Sequence, residues 1–152
     1  MVIKQLFLSM LTLILVCSSM RGLAADAIYT GFFSNTALNG YDAVSYFEKG
    51  QPEKGDRRFR YEYRGVYWQF SSKAHLQDFK RAPQKYIPRY GGFCAWAVAT
   101  KKARAPGDPQ YWKIVDGELY LNYSEKVQRD WLLDVDGHIK QADKNWPEML
   151  DE

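Results

Sequence analysis

The chain is poor in the residues that most often build metal sites and cross-links. Its 152 residues include two cysteines, Cys17 and Cys94, and two histidines, His75 and His138. Cys17 falls inside an N-terminal leader, so an exported chain carries Cys94 alone and has no internal disulfide. A structural zinc site needs four ligands, normally thiolates and imidazoles, and one Cys with two His cannot supply them without carboxylates. A Gly-x-Ser-x-Gly elbow is lacking, which removes the usual α/β-hydrolase nucleophile. There is no internal repeat to be seen, no low-complexity tract and no long linker. Beyond residue 24 no apolar run is long enough to cross a bilayer.

What is present is an ordinary globular composition, 46% hydrophobic and 26% charged, which excludes both a polytopic membrane protein and a disordered chain. Residues 1–24 read as a signal peptide: Lys4 gives the positive start, and Leu6 to Cys17 is apolar except for Ser9 and Thr12. Cleavage is expected after Ala24 or Ala27, which places the mature protein in the periplasm. About 128 residues remain, enough for one domain over roughly residues 30–150. Charge is segregated along it. Residues 54–104 hold 13 Lys and Arg against 3 Asp and Glu, and residues 105–152 hold 5 against 11. The basic segment suits an anionic surface or protein partner, or else folds against the acidic third. Nucleic acid is not expected as a partner, because the aromatics fall in buried-looking patterns.

Those aromatics are abundant: 11 Tyr, 5 Trp and 8 Phe. Without disulfides they must supply most of the core. In Arg58 to Tyr63 large rings alternate with charges at the strand period, and Val66 to Phe70 follows Arg64-Gly65, which predicts a β-hairpin. Tyr111 to Val115 and Glu118 to Tyr123 flank Asp116-Gly117, the strongest short hairpin signal in the chain. Ala43 to Phe47 reads as a short apolar strand. Ser71 or Ser72 can cap a helix over 73–82, and Ser124 one over 125–134. Phe93 to Ala99 reads as a buried helix, and Ile139 to Leu150 as an amphipathic segment at the edge. The expected fold is a small α+β domain: short antiparallel hairpins packed on three to four short helices.

Taken together, the segments Asn39-Gly40-Tyr41-Asp42-Ala43-Val44-Ser45-Tyr46-Phe47, Gly65 to Ser72, Pro88-Arg89-Tyr90-Gly91-Gly92-Phe93-Cys94-Ala95 and Asp116 to Ser124 resemble the YHS domain in its exported bacterial form. The resemblance implies an α+β module akin to treble-clef metal binders and to domains that accompany copper-transporting ATPases. Copper or another soft metal ion is then the implied cofactor. The chain departs from that pattern in lacking paired cysteines, and it reads Tyr67-Trp68-Gln69-Phe70-Ser71 where the family's name-giving tripeptide belongs.

The candidate site residues follow. Cys94, expected in the first turn of a helix behind two glycines, is either an activated thiol or a small buried hydrophobe. His75 joins it as a soft-metal pair or is a surface imidazole near Asp78. Tyr41, Asp42, Tyr46 and Tyr90 flank two glycine turns and either line a small-ligand pocket or make structural hydrogen bonds. Asp134 to His138 echoes a calcium loop and reads as a turn. The expected function is a non-enzymatic module binding a metal ion or small ligand at Cys94. The alternatives are a thiol-dependent redox or transfer enzyme and a partner-binding module.

Overall fold

A computed structural model describes residues 28–151; the signal-peptide reading of residues 1–24 lies outside them. In chain order the elements are α1 (Ser45–Glu48), β1 (Asp56–Tyr63), β2 (Val66–Phe70), α2 (Lys73–Arg81), α3 (Pro83–Tyr86), α4 (Ala95–Lys101), β3 (Asp108–Val115), β4 (Glu118–Asn122), α5 (Glu125–Leu132) and α6 (Val135–Leu150). Short 3-10 turns at Ala37–Gly40 and Arg89–Gly92 precede α1 and α4. Among the described residues the domain is α+β as expected, with six helices instead of three or four.

Both hairpins form where the turn chemistry asks for them. Strands β1 and β2 are joined by Arg64 and Gly65 at φ of 54° and 75°, and β3 and β4 by Asp116 and Gly117 at 50° and 78°. Two successive positive φ values give the turn whose twist matches the strands it joins. Each hairpin leads into a helix capped by a serine. The Ser72 and Ser124 hydroxyls accept from the backbone N–H of His75 and Val127 at 3.1 and 3.4 Å.

The parallel between these descriptions is systematic. Adding 52 to a residue number carries β1 onto β3, β2 onto β4 and one 3-10 turn onto the other, residue for residue. The strand registers break at the same place, between Asp56 and Arg60 in one copy and between Asp108 and Trp112 in the other. In both, the strand-opening aspartate accepts the backbone N–H two residues on, at 2.8 Å. The bridge Tyr41 to Lys54 repeats as Phe93 to Pro106. Trp68 packs on Phe79 with ring centroids 5.0 Å apart, and Tyr120 on Trp131 at 5.5 Å. The sequence conceals this repeat, because over residues 38–81 and 90–133 only eight positions are identical. Five of those are Gly40, Gly55, Gly65, Asp56 and Ser72, sites where backbone geometry dictates the residue.

Two further expectations change. Ala43 to Phe47 is no strand: Asp42 Oδ1 accepts the Val44 N–H at 2.8 Å, the chain curls, and α1 begins at Ser45. Asp134 to His138 is no isolated turn: the Asp134 carboxylate accepts the Gly137 N–H at 3.0 Å and so caps α6. Helix α6 is the element the first copy lacks. It lies on α4, where the Asn145 amide donates to the carbonyls of Val98 and Ala99. Each copy centres on its own apolar cluster, around Trp68, Phe70 and Phe79 in one and Tyr120, Trp131 and Val98 in the other.

Candidate functional site

The repeat places two buried centres in equivalent positions. In the first copy the centre is Asp42, wholly buried just after the 3-10 turn. Its Oδ2 accepts the Ser71 N–H and hydroxyl, both at 2.7 Å, and lies 2.6 Å from His75 Nδ1. Its Oδ1 takes the Val44 N–H. Ser71 and His75 both aim at the carboxylate, so the trio is a hydrogen-bonded clamp between α1 and α2. A nucleophile relay would instead place the serine against the far imidazole nitrogen.

In the second copy Cys94 stands where Asp42 stands. It too is wholly buried. Its N–H donates to the Ala105 carbonyl at 2.9 Å, as Asp42 N–H does to Glu53 at 2.8 Å. Cys94 is the residue before α4, with an extended backbone, and does not lie in the helix's first turn as expected. Burial pushes its thiol up, opposed by backbone N–H groups of Ala97, Tyr123 and Trp96 directed at the sulfur. The Asn122 carboxamide, also wholly buried, presents Oδ1 at 3.8 Å from Sγ and accepts the Trp96 N–H with it, while its Nδ2 has no partner. The His75 position is taken by Val127. Beside the thiol lies an apolar recess of about 270 Å³ walled by Trp96, Ala97, Ala103, Ala105, Tyr123 and Val127, with Lys101 at its rim.

The expected pairing of Cys94 with His75 is not assembled. His75 serves the first copy's carboxylate, and the Cys94 recess is lined by no histidine. Among the described residues no group of three or more His, Cys, Asp or Glu side chains is placed to hold a metal ion. The donor pair expected for a soft metal ion, Cys94 with His75, is therefore not brought together.

The four residues expected to line a ligand pocket are likewise divided. Tyr41 sits under the Lys54 ammonium, 4.0 Å from its ring centre. Tyr46 is buried, and its hydroxyl donates to the Pro109 carbonyl at 3.0 Å. Tyr90 belongs to the second cluster, where its hydroxyl donates to Asp143 at 2.9 Å. Burial raises the pKa of both Tyr46 and Tyr90 far above the usual phenol range, so both act as neutral donors. Tyr90 also edges a separate recess of about 340 Å³ with Arg64, Arg89 and Trp146. Sequence reasoning missed Ser71, Asn122 and the recess wall; the capping serines were the only local signal near them.

Among the described residues no helix is long and apolar enough to cross a membrane. The chain was compared with protein-family models, with curated proteins and with solved structures, and none of the three comparisons finds a match.

Proposed function

We propose that this is an exported, non-enzymatic module of the YHS type that binds a small apolar ligand in the recess beside Cys94. The observation that carries the reading is the recess itself: a cavity of about 270 Å³, walled by alanines, a valine and ring faces, beside a buried thiol. An apolar guest would gain the usual hydrophobic transfer energy there and would displace little ordered water. Lys101, whose ammonium lies 5.6 Å from the Trp96 ring centre, leaves room for an anionic end at the rim.

A thiol enzyme is supported less well. It needs a base beside Cys94, and both histidines are engaged elsewhere: His75 on Asp42, and His138 Nδ1 on the Trp131 carbonyl at 3.0 Å. The raised thiol pKa runs against a nucleophile as well.

The test uses the reduced protein and a small anionic naphthalene dye, read by its own emission and by quenching of Trp96. Saturable binding is expected, weakened at least tenfold by Ala105→Leu, which fills the recess and leaves Cys94 itself unchanged. Equal binding by the wild type and Ala105→Leu, or no binding by either, overturns the recess. In that event the partner-binding reading of the basic segment takes its place.

A further inference from the structure

The chain between Ile28 and Thr36 is fastened at both ends and bare in the middle. At one end the Tyr29 N–H donates to the Gly91 carbonyl at 2.9 Å, and its ring packs on Phe93 with centroids 5.4 Å apart. At the other the Asn35 carbonyl accepts the Tyr67 N–H at 2.8 Å, and the Asn35 amide donates to the Gly65 carbonyl at 3.1 Å. Gly31, at φ of 77°, turns the chain between these anchors. The turn holds Phe32 and Phe33 edge to face, 5.0 Å between ring centres, and leaves them 93% and 97% exposed. Holding two phenyl rings in water forgoes transfer energy, and an exposed apolar pair rimmed by polar side chains marks a contact surface.

The surroundings of the pair are cationic. Beside it runs a cleft of about 370 Å³ lined by Arg57, Asn39 and Gln69. Arg57 is exposed and makes no ion pair among the described residues. Lys54, Arg58 and Arg60 stand on β1 or just ahead of it, with Lys54 4.0 Å from the Tyr41 ring centre and Arg60 4.1 Å from that of Tyr67. Against these four cations residues 54–63 set two carboxylates, Glu62 and Asp56, which holds Arg58 at 2.6 Å. The repeat shows that the framework does not ask for this charge. The counterparts of the four cations 52 residues on are Pro106, Pro109, Gln110 and Trp112, all uncharged, and the second copy still builds the same hairpin with the same register break. Asp56, by contrast, recurs as Asp108. The cations therefore belong to the first copy's surface and not to its fold.

We propose that the Phe32-Phe33 turn and the cations around β1 form a docking surface for an anionic phospholipid bilayer. The two rings enter the boundary between headgroups and acyl chains, where apolar side chains backed by Lys and Arg bind anionic bilayers. Lipid phosphates meet Arg57 in the cleft, with Lys54, Arg58 and Arg60 adding attraction around it. The shape favours a bilayer over a protein partner: the rings protrude from a turn, and a fluid interface admits them without the matching socket that a protein would have to supply. The recess beside Cys94 contributes no residue to this surface, so the docking and the ligand reading stand or fall separately.

The experiment is cosedimentation of the purified protein with vesicles of phosphatidylcholine alone and of phosphatidylcholine mixed with phosphatidylglycerol. The variants are Phe32→Ser combined with Phe33→Ser, and Arg57→Glu; all three side chains are exposed, so both variants should melt with the wild type. The wild type should bind the mixed vesicles at least tenfold more tightly than pure phosphatidylcholine. The phenylalanine double variant should lose at least tenfold of that binding, and Arg57→Glu about tenfold. A second readout needs no variant: raising salt from about 0.1 M to about 1 M shortens the screening length from roughly 10 Å to roughly 3 Å and should release most of the bound protein. The proposal is overturned if the wild type binds neither vesicle or both equally, if binding ignores salt, or if either variant binds the mixed vesicles as well as the wild type does. It is also overturned if the wild type is a dimer that the phenylalanine double variant turns into a monomer, because the rings then cover a second copy of the chain.

Discussion

At position 42 the chain carries a carboxylate, and 52 residues later, on the same backbone, a thiol. Around Asp42 every neighbour is a donor: Ser71, His75 and the Val44 N–H close on its oxygens and lock α1 to α2. Around Cys94 the side chains at the corresponding places are Tyr123 and Val127, which bond nothing there, and a recess opens. Two copies of one framework thus do different work. The first is closed by polar contacts; the second is closed on its outer side by α6 and has an apolar recess beside its buried thiol.

The sharpest way to break this comparison is to remove the two central side chains in turn. Asp42→Ala leaves the Ser71 N–H and hydroxyl, the Val44 N–H and the His75 ring buried without their acceptor. Its cost should be about 3–5 kcal/mol. Cys94→Ala removes one sulfur from an apolar wall already beside a cavity, and about 1 kcal/mol is expected. Urea unfolding of the two variants measures the difference. Equal losses would show that the first copy's clamp is no stronger than packing.

A second test asks whether the two copies share one framework in energy as well as in shape. Gly55 and Gly107 each pass so close to a neighbouring chain that a side chain cannot fit. A Cβ at Gly55 would come within 2.6 Å of the Gln69 backbone carbon, and one at Gly107 would meet the Gly92 carbonyl oxygen closer still. Gly55→Ala and Gly107→Ala should each cost about 1–3 kcal/mol, the second more. The helix caps form a smaller matched pair: Ser72→Ala and Ser124→Ala should each lose about 1 kcal/mol. Thermal melts of the four variants check both pairs, and a loss confined to one copy would mean that the likeness is only geometric.

Much of this framework was legible because it rests on short-range chemistry. Asp116-Gly117 and the ring-charge alternation of Arg58 to Tyr63 announced the hairpins, and Ser72 and Ser124 announced the helices. The Ala43 to Phe47 strand was misjudged because five apolar or small residues fit either state, and a single side-chain bond from Asp42 decides for the helix. The repeat was hidden because equivalent core positions share size and little else. Phe79 and Trp131 occupy one place, as do Trp68 and Tyr120, and no identity marks them. The sites were hardest to see. Asp42 meets His75 across 33 residues, and nothing local tells His75 that its partner is a carboxylate and not the thiol.

The smallest expected effect isolates the second copy's centre by pH. Burial raises the Cys94 thiol, so the folded protein keeps a proton that the unfolded chain has given up. The stability tied to this proton is present in full below the unfolded thiol value of about 8.5 and is lost as pH rises toward the folded value. Tyr46, Tyr90 and Tyr120 are also raised, but unfolded phenols titrate only near 10, so they act above this window. Between pH 8 and about 9.5 the wild type should therefore lose up to about 1 kcal/mol that Cys94→Ala does not lose. Urea midpoints of both proteins across that range measure it. A parallel decline would mean that the thiol ionises in the folded protein as freely as in the unfolded one. The recess would then admit water to the sulfur, and the centre of the second copy would be as polar in effect as that of the first.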